Sequence, residues 1–97
     1  MRVIAKKVLR DFWIRHPDSE QQLKPWFTEA ENAVWKGPAQ IKRGYPSASI
    51  LPGNRVVFNI KGNRYRLVVK INYHYRMVGI RFAGTHAQYD KIDATII

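Results

Sequence analysis

Residues 55–72 read RVVFNIKGNRYRLVVKIN, and their alternation of apolar and polar side chains is typical of two β-strands. The apolar members of both runs fall on one predicted face: Val56, Phe58, Ile60, Tyr65, Leu67, Val69 and Ile71. Gly62 and Asn63 lie between the runs and suit a two-residue turn in which glycine supplies a positive φ. The sequence therefore predicts a β-hairpin with one apolar and one polar face.

A two-residue turn also fixes the register of this hairpin. The predicted partners are Lys61 and Arg64, Ile60 and Tyr65, Asn59 and Arg66, Phe58 and Leu67, and Val56 and Val69. Apolar side chains oppose apolar ones and polar side chains oppose polar ones, as a sheet with one buried face requires.

Residues 76–83, RMVGIRFA, predict a third strand. Its apolar face holds Val78, Ile80 and Phe82. Arg81 falls on the opposite face. If the apolar faces of all three strands cover a helical layer, Arg66 and Arg81 emerge together on the open face of the sheet.

The first 37 residues predict a short strand followed by two helices. Residues 1–5 suit the strand, and a helical stripe on Leu9, Phe12 and Trp13 ends before Pro17. A second stripe, capped by Asp18 or Ser19, runs to Val34 and ends at Gly37-Pro38. It either bends at Pro25 or begins there. Its apolar members are Leu23, Trp26, Phe27, Ala30, Ala33 and Val34.

The order of these elements predicts an α+β fold. Residues 38–54 contain three prolines with Gly and Asn turn formers, and we expect a connecting loop there. Two N-terminal helices then pack on one face of a small antiparallel sheet, and the far face of the sheet is basic. A chain of 97 residues closes one core, so residues 1–97 are predicted to be a single domain.

The composition of the chain excludes several kinds of functional site. The absence of cysteine excludes a disulfide framework, a thiol nucleophile and a Cys-ligated metal. The charged residues 1–17 contain neither a signal-peptide core nor a transmembrane span, so the expected location is the cytoplasm and no membrane partner is expected.

The charge is concentrated in the strand half. The chain carries 17 Lys and Arg against seven Asp and Glu, and residues 36–97 alone hold eleven basic and two acidic side chains, a net +9. No carboxylate lies between Glu31 and Asp90. This excess favours a polyanion. A membrane surface would call for a basic amphipathic helix, whereas this charge lies on strands, so nucleic acid is the expected partner.

The remaining chemistry is limited. Phosphate-binding glycine loops, a zinc-binding HExxH and a GxSxG nucleophile elbow are all absent, and Asp90 and Asp93 are the only carboxylates of the basic half. We therefore expect no metal and no cofactor. Metal-free RNA cleavage stays open, because RNA supplies its own 2′-hydroxyl nucleophile and the protein needs only cations and proton-transfer groups. Candidates are Lys61, Arg64, Arg66, Tyr73, Tyr75, Arg81, His86 and Tyr89.

The strand half resembles the HigB-type branch of the RelE superfamily of bacterial toxin–antitoxin toxins. The resemblance lies in VVFNIKGNRYRLVVKINY, VGIRF and THAQYDKI, and in WKGPAQIKRGYPSA from Trp35 to Ala48. It implies two N-terminal helices on a curved antiparallel sheet. It also implies ribosome-dependent cleavage of mRNA, and neutralisation by a cognate antitoxin, in this branch usually a HigA-like helix-turn-helix protein, within a toxin–antitoxin hetero-oligomer.

The resemblance also implies roles for individual residues. Arg66 and Arg81 are expected to bind phosphate and stabilise the transition state, and Tyr89 or His86 to transfer a proton. The other basic side chains expected to bind RNA are Arg55, Lys61, Arg64 and Lys70. Many members of the superfamily place two lysines on the sheet face, so the general base stays open. Two alternatives remain: a non-enzymatic RNA- or ribosome-binding module that uses the same face, and a protein-interaction role through the helices.

Overall fold

A five-stranded sheet and four α-helices make up the protein, described here from a computed structural model that covers residues 1–97. The strands are β1 (Arg2–Ile4), β2 (Ser49–Leu51), β3 (Arg55–Ile60), β4 (Tyr65–Asn72) and β5 (Met77–Thr85). The helices are α1 (Lys6–Arg15), α2 (Glu20–Asn32), α3 (Pro38–Gly44) and α4 (His86–Tyr89), with a short 3-10 turn at Pro17–Ser19. None of the helices is long and apolar enough to cross a membrane.

The strand order is β1-β5-β4-β3-β2, and it confirms the α+β class. The predicted N-terminal strand is present. It pairs parallel to β5, while every other pair is antiparallel, so the sheet is mixed. Helix α2 runs through Pro25 without ending there.

The β3–β4 hairpin has the predicted register along its strands, including Ile60 opposite Tyr65 and Asn59 opposite Arg66. The turn is longer than predicted. Lys61–Arg64 lie outside the ladder, and the Arg64 N–H donates to the Lys61 carbonyl at 3.2 Å. Gly62 has the predicted positive φ of 63°, and Lys61 shares it at 54°. The predicted pairing of Lys61 with Arg64 is wrong, because the left-handed backbone at Lys61 ends the strand.

The core lies between the helices and one face of the sheet. From α1 it takes Leu9, Phe12 and Trp13, and from α2 Leu23, Trp26, Phe27 and Ala30. Trp13 and Trp26 are buried, as their helical spacing predicts, and Trp35 is also buried although α2 ends before it. The prediction that Val34 belongs to the apolar face of the second helix is wrong. Helix α2 ends at Asn32, and the Val34 side chain is exposed.

The predicted loop over residues 38–54 contains two elements. Pro38 begins α3, where its fixed φ suits the first helical position, and Ile41 anchors the helix in the core with no exposed surface. Ser49–Leu51 then adds an edge strand to β3. The prediction of a loop is wrong, because it considered the turn-forming residues and not the buried Ile41 between them.

A β-bulge in β5 changes which residues face the helices. Val69 lies opposite Ile80, but Val68 lies opposite Phe82, which leaves Arg81 without a partner. One extra residue reverses the alternation beyond it. Val78 and Ile80 are therefore in the core as predicted, whereas Phe82 lies on the other face and its predicted position is wrong.

The sheet face away from α1 and α2, here called the far face, is not an open basic surface throughout. Its centre is apolar, with Val57 and Val68 buried against Ala94. Leu51, Phe82, Tyr89 and Ile97 pack around them. The C-terminal residues thus cover the middle of the far face and divide its polar side chains into two groups.

Candidate active site

Helix α4 carries two of the predicted site residues at the hairpin end of the sheet. The Thr85 hydroxyl accepts a hydrogen bond from the Gln88 N–H at 3.1 Å, and the Gln88 side chain accepts one from the Thr85 N–H at 2.9 Å. This capping box starts the helix directly after β5. The His86 N–H donates to the Arg64 carbonyl at 3.0 Å, which joins the helix to the start of β4.

The Tyr89 ring lies beside Arg66 on the far face. The Arg66 guanidinium carbon is 5.8 Å from the centre of the Tyr89 ring, within the range of a cation–π contact. The Phe82 ring lies 6.5 Å from Tyr89, centre to centre. Arg66 also donates to the carbonyls of Asn63 at 3.2 Å and Tyr65 at 3.4 Å. The guanidinium is therefore held by the turn on one side and by an aromatic ring on the other.

His86 faces a carboxylate one helical turn further on. Its Nδ1 lies 3.4 Å from the Asp90 Oδ2, and both side chains are about half exposed. A carboxylate at this position can orient the imidazole ring. We call Arg66, Phe82, His86, Tyr89 and Asp90 the hairpin-end cluster.

Gly84 makes this arrangement sterically feasible, and the sequence patterns did not single it out. It lies opposite Arg66 in the ladder. A Cβ at this position would overlap the Phe82 ring and lie 2.8 Å from the Gln88 Oε1. Glycine thus lets the Phe82 ring and the capping box pack together. The signal that could have identified it is a glycine inside a strand, which often marks such a close approach.

Arg81, predicted to act with Arg66, lies in a different place. It is the unpaired residue of the bulge, and its side chain makes no hydrogen bond or ion pair within the protein. Its side chain lies near Gly79 and lines a groove of about 680 Å³ with Lys70. We call this the Gly79 groove. The structure places Tyr89 beside Arg66, with His86 three residues earlier on the same short helix, and it places Arg81 and Lys70 together at the Gly79 groove.

The Arg64 side chain is paired with a carboxylate of the helical layer and is not a free cation of the far face. Its guanidinium donates to the Asp18 Oδ2 at 2.7 Å, and the Tyr65 hydroxyl donates to the Asp18 Oδ1 at 2.5 Å. The hydrogen bond from Tyr65, followed by the contact with Arg64, lowers the pKa of Asp18 below its usual value. Asp18 therefore fixes the hairpin turn to the helical layer, a role that its position before α2 did not reveal.

Two further predicted RNA contacts also take part in local structure. Arg55 is half-buried, and its Nε donates to the Ile97 carbonyl at 2.7 Å. The Lys61 N–H donates to the Gln22 Oε1 at 2.5 Å, while the Lys61 side chain is exposed. Lys70 differs from the other three side chains that were expected to bind RNA. It is an exposed strand residue of the far face, and its side chain makes no hydrogen bond.

No three His, Cys, Asp or Glu side chains come close enough together to hold a metal ion. The hairpin-end cluster instead offers one fixed guanidinium, one imidazole beside a carboxylate and one phenol. The Tyr89 hydroxyl forms no hydrogen bond within the protein. These groups can bind a phosphate and move protons.

Comparison with known proteins agrees with the sequence resemblance. Residues 19–92 match the HigB toxin family, described as the RelE-like toxic component of a toxin–antitoxin system. The mRNA interferase toxin HigB of Escherichia coli K12 is 27% identical over 96 residues, covering 97% of this chain and 92% of that protein. The mRNA interferase HigB of Shigella flexneri is similar to the same extent. The chain therefore belongs to the HigB family of RelE-like toxins of toxin–antitoxin systems.

Proposed function

We propose that this protein is an mRNA interferase that cleaves mRNA on the ribosome, and that the hairpin-end cluster is its catalytic centre. The observation that carries the proposal is the Arg66 guanidinium held against the Tyr89 ring, with His86 at the start of the same short helix and its partner Asp90 directly after the helix. Its relatives are named mRNA interferases, which supports an endoribonuclease activity.

The proposed reaction needs no metal. The 2′-oxygen of one nucleotide attacks the adjacent phosphorus, forms a 2′-O–P bond and gives up its proton to a base. The P–O5′ bond breaks, and the leaving 5′-oxygen takes a proton from an acid. The products are a 2′,3′-cyclic phosphate and a 5′-hydroxyl. The protein supplies positioning, a cation for the phosphorane-like transition state and the two proton transfers.

Arg66 is suited to bind the phosphate oxygens. Two backbone carbonyls and the Tyr89 ring already orient its guanidinium, so little reorganisation is needed when charge develops. A guanidinium also presents parallel N–H donors that match phosphate geometry.

His86 and Tyr89 are the two proton-transfer candidates. Asp90 orients the His86 imidazole, and the Tyr89 hydroxyl has no competing partner within the protein. His86→Gln and Tyr89→Phe each remove the candidate proton-transfer group and keep most of the side-chain shape. Both variants should lower the cleavage rate, and the larger loss identifies the group on which the slower proton transfer depends.

The proposed partners follow from the family and the charge. A toxin of this family has a cognate antitoxin, and the resemblance favours a HigA-like helix-turn-helix protein in a hetero-oligomeric complex. The net charge of +10 favours association with ribosomes and their RNA.

The test is cleavage of mRNA on programmed ribosomes, followed by analysis of the product ends. We expect 2′,3′-cyclic or 3′-phosphate ends and 5′-hydroxyl ends. We also expect activity to survive EDTA once magnesium is restored to keep the ribosomes intact. Products with 3′-hydroxyl ends, or a specific need for manganese or zinc, would contradict the proposed chemistry. Ribosome binding without any cleavage would favour the non-enzymatic module.

A further inference from the structure

The Gly79 groove lies on the far face, at the end away from the hairpin turn. Gly79 lies opposite Lys70 on β4 and opposite Ile4 on β1, so its backbone forms a floor between two neighbouring side chains. Met77 and Arg81 flank it along β5. The groove is therefore a shallow trough with a glycine at its base.

The two cations of the groove are free. Lys70 and Arg81 are both exposed, and neither side chain makes a hydrogen bond or ion pair within the protein. No carboxylate lines the groove. Two unpaired cations without a neutralising acid form a site for an anion.

The rest of the lining suits a planar ring. Ile4 and Met77 provide apolar surface, and the absent side chain of Gly79 leaves a flat approach to the backbone. Asn54 and Asn72 add amide groups that can donate and accept hydrogen bonds. An anion next to a flat ring with polar edges is the chemistry of a nucleotide.

Aromatic rings continue the surface at one end of the groove. His74 lines the groove, and its ring packs edge to face against Tyr75, with the ring centres 4.8 Å apart. Tyr75 is 69% exposed. Exposed aromatic rings beside cations are typical of surfaces that bind single-stranded nucleic acid.

We propose that the Gly79 groove is a nucleotide subsite for the RNA strand that the hairpin-end cluster cleaves. Lys70 and Arg81 hold a phosphate, and the base lies over Gly79 between Ile4 and Met77. The proposal rests on the proposed function, because it takes that RNA as the ligand. It differs from the role that the family resemblance implies for Arg81, because Arg81 here holds a flanking nucleotide and not the reacting phosphate.

The spacing of the Gly79 groove and the hairpin-end cluster on one strand favours RNA over an acidic segment of the antitoxin. Arg66 and Lys70 lie on the same face of β4, four residues apart, which corresponds to about 13 Å along a strand. A short single strand can span both by crossing the C-terminal residues that cover Val68 between them. A flat glycine floor with amide groups fits a base, whereas an acidic peptide would need only the cations.

The experiment measures binding of a fluorescein-labelled RNA hexamer of mixed sequence with 2′-O-methyl sugars, which cannot be cleaved. Fluorescence anisotropy is recorded for the wild-type chain, Gly79→Val, Lys70→Ala and the control Lys7→Ala, which removes one exposed lysine from α1. We expect Gly79→Val to weaken binding about tenfold, as the loss of one base contact would. Lys70→Ala should reduce the slope of log K against log salt by about 0.7, and Lys7→Ala should leave it unchanged.

A graded variant controls for folding. An alanine Cβ at position 79 would lie 3.6 Å from the Lys70 carbonyl and 4.0 Å from the Arg81 Nε, both ordinary contacts. Gly79→Ala should therefore fold and weaken hexamer binding less than Gly79→Val does. Wild-type hexamer affinity in Gly79→Ala, Gly79→Val and Lys70→Ala would overturn the proposal.

Failure of the subsite is distinguishable from failure of the proposed function. If Tyr89→Phe stops cleavage while the groove variants bind the hexamer like the wild type, the groove proposal alone is wrong. If the wild-type chain cleaves no mRNA, the proposed function fails, and hexamer binding still tests the groove. Groove variants that keep hexamer affinity but lose the antitoxin would assign the groove to the antitoxin and overturn the proposal.

Discussion

The two ends of the far face carry similar side chains in different surroundings. At the hairpin end Arg66 is held by two carbonyls and the Tyr89 ring, and His86 by Asp90. At the Gly79 groove Lys70 and Arg81 contact no acceptor within the protein. Fixed groups suit catalysis, which requires a preorganised geometry, whereas free cations suit binding of a flexible strand.

The two ends of the far face also differ in the carboxylates near them. Asp90 follows α4, and Asp18 reaches the turn from the helical half of the chain to bind Arg64 and Tyr65. No carboxylate lines the groove. Acidic side chains therefore contact Arg64 and His86 at the hairpin end, and none contacts a cation of the groove.

The largest expected effect is on Arg66. Arg66→Ala should lower the cleavage rate about 100-fold to 1,000-fold, because a preorganised transition-state contact is lost. Arg66→Lys should recover only part of the rate, since lysine keeps the charge but lacks the planar fork. The measurement is single-turnover mRNA cleavage on ribosomes, with thermal melts of each variant. Wild-type cleavage by a folded Arg66→Ala would move the catalytic centre away from the hairpin end.

Much of the fold could be predicted from the sequence, because it follows from periodicity. The register of β3 and β4 and the buried faces of α1 and α2 are examples. The bulge at Arg81 could not be predicted, since RMVGIRFA alternates regularly and the extra residue appears only when β5 pairs with β4. The role of Asp18 in holding the hairpin turn could not be predicted for a related reason. Its contact with Arg64 spans 46 residues, and no local pattern reports such a contact.

The next effect concerns the stability of the hairpin end. Gly84→Ala should lower the free energy of unfolding by about 1–3 kcal/mol, because the new methyl group overlaps the Phe82 ring. Gly79→Ala is the matched control in the same strand, where a Cβ meets only ordinary contacts. Urea unfolding measures both. Equal stability of the two variants would show that Phe82 does not pack over Gly84.

A smaller effect is expected from the Asp18 carboxylate. Its pKa is lowered from 3.8 in the folded chain, so its contribution to stability is present above that value and is lost as the pH falls through the folded pKa. Asp18→Asn should lack this contribution. Urea unfolding of both proteins between pH 2 and about pH 6 checks this, since carboxyl groups titrate in that range. The difference between the two proteins should be constant above about pH 5 and shrink below it. A difference independent of pH would exclude the ion pair as its cause.

The smallest expected effect separates two cations that look alike in the sequence. Lys70→Ala should reduce the salt dependence of RNA binding and leave the melting temperature unchanged, because Lys70 has no partner in the fold. Arg64→Ala should lower the melting temperature, since it breaks the contact with Asp18, and should change the salt dependence less. Anisotropy titrations over a range of salt concentrations, with thermal melts, measure both. Identical behaviour of the two variants would remove the distinction between held and free cations.

The central claim is that the hairpin-end cluster performs the chemistry, and Tyr89→Phe tests it most directly. This variant keeps the ring beside Arg66 and Phe82 and removes only a hydroxyl that has no partner within the protein. The measurement is the single-turnover rate of mRNA cleavage on ribosomes, paired with the melting temperature. We predict a rate lower by about 100-fold or more at an unchanged melting temperature. A folded Tyr89→Phe that cleaves mRNA at the wild-type rate would contradict the account.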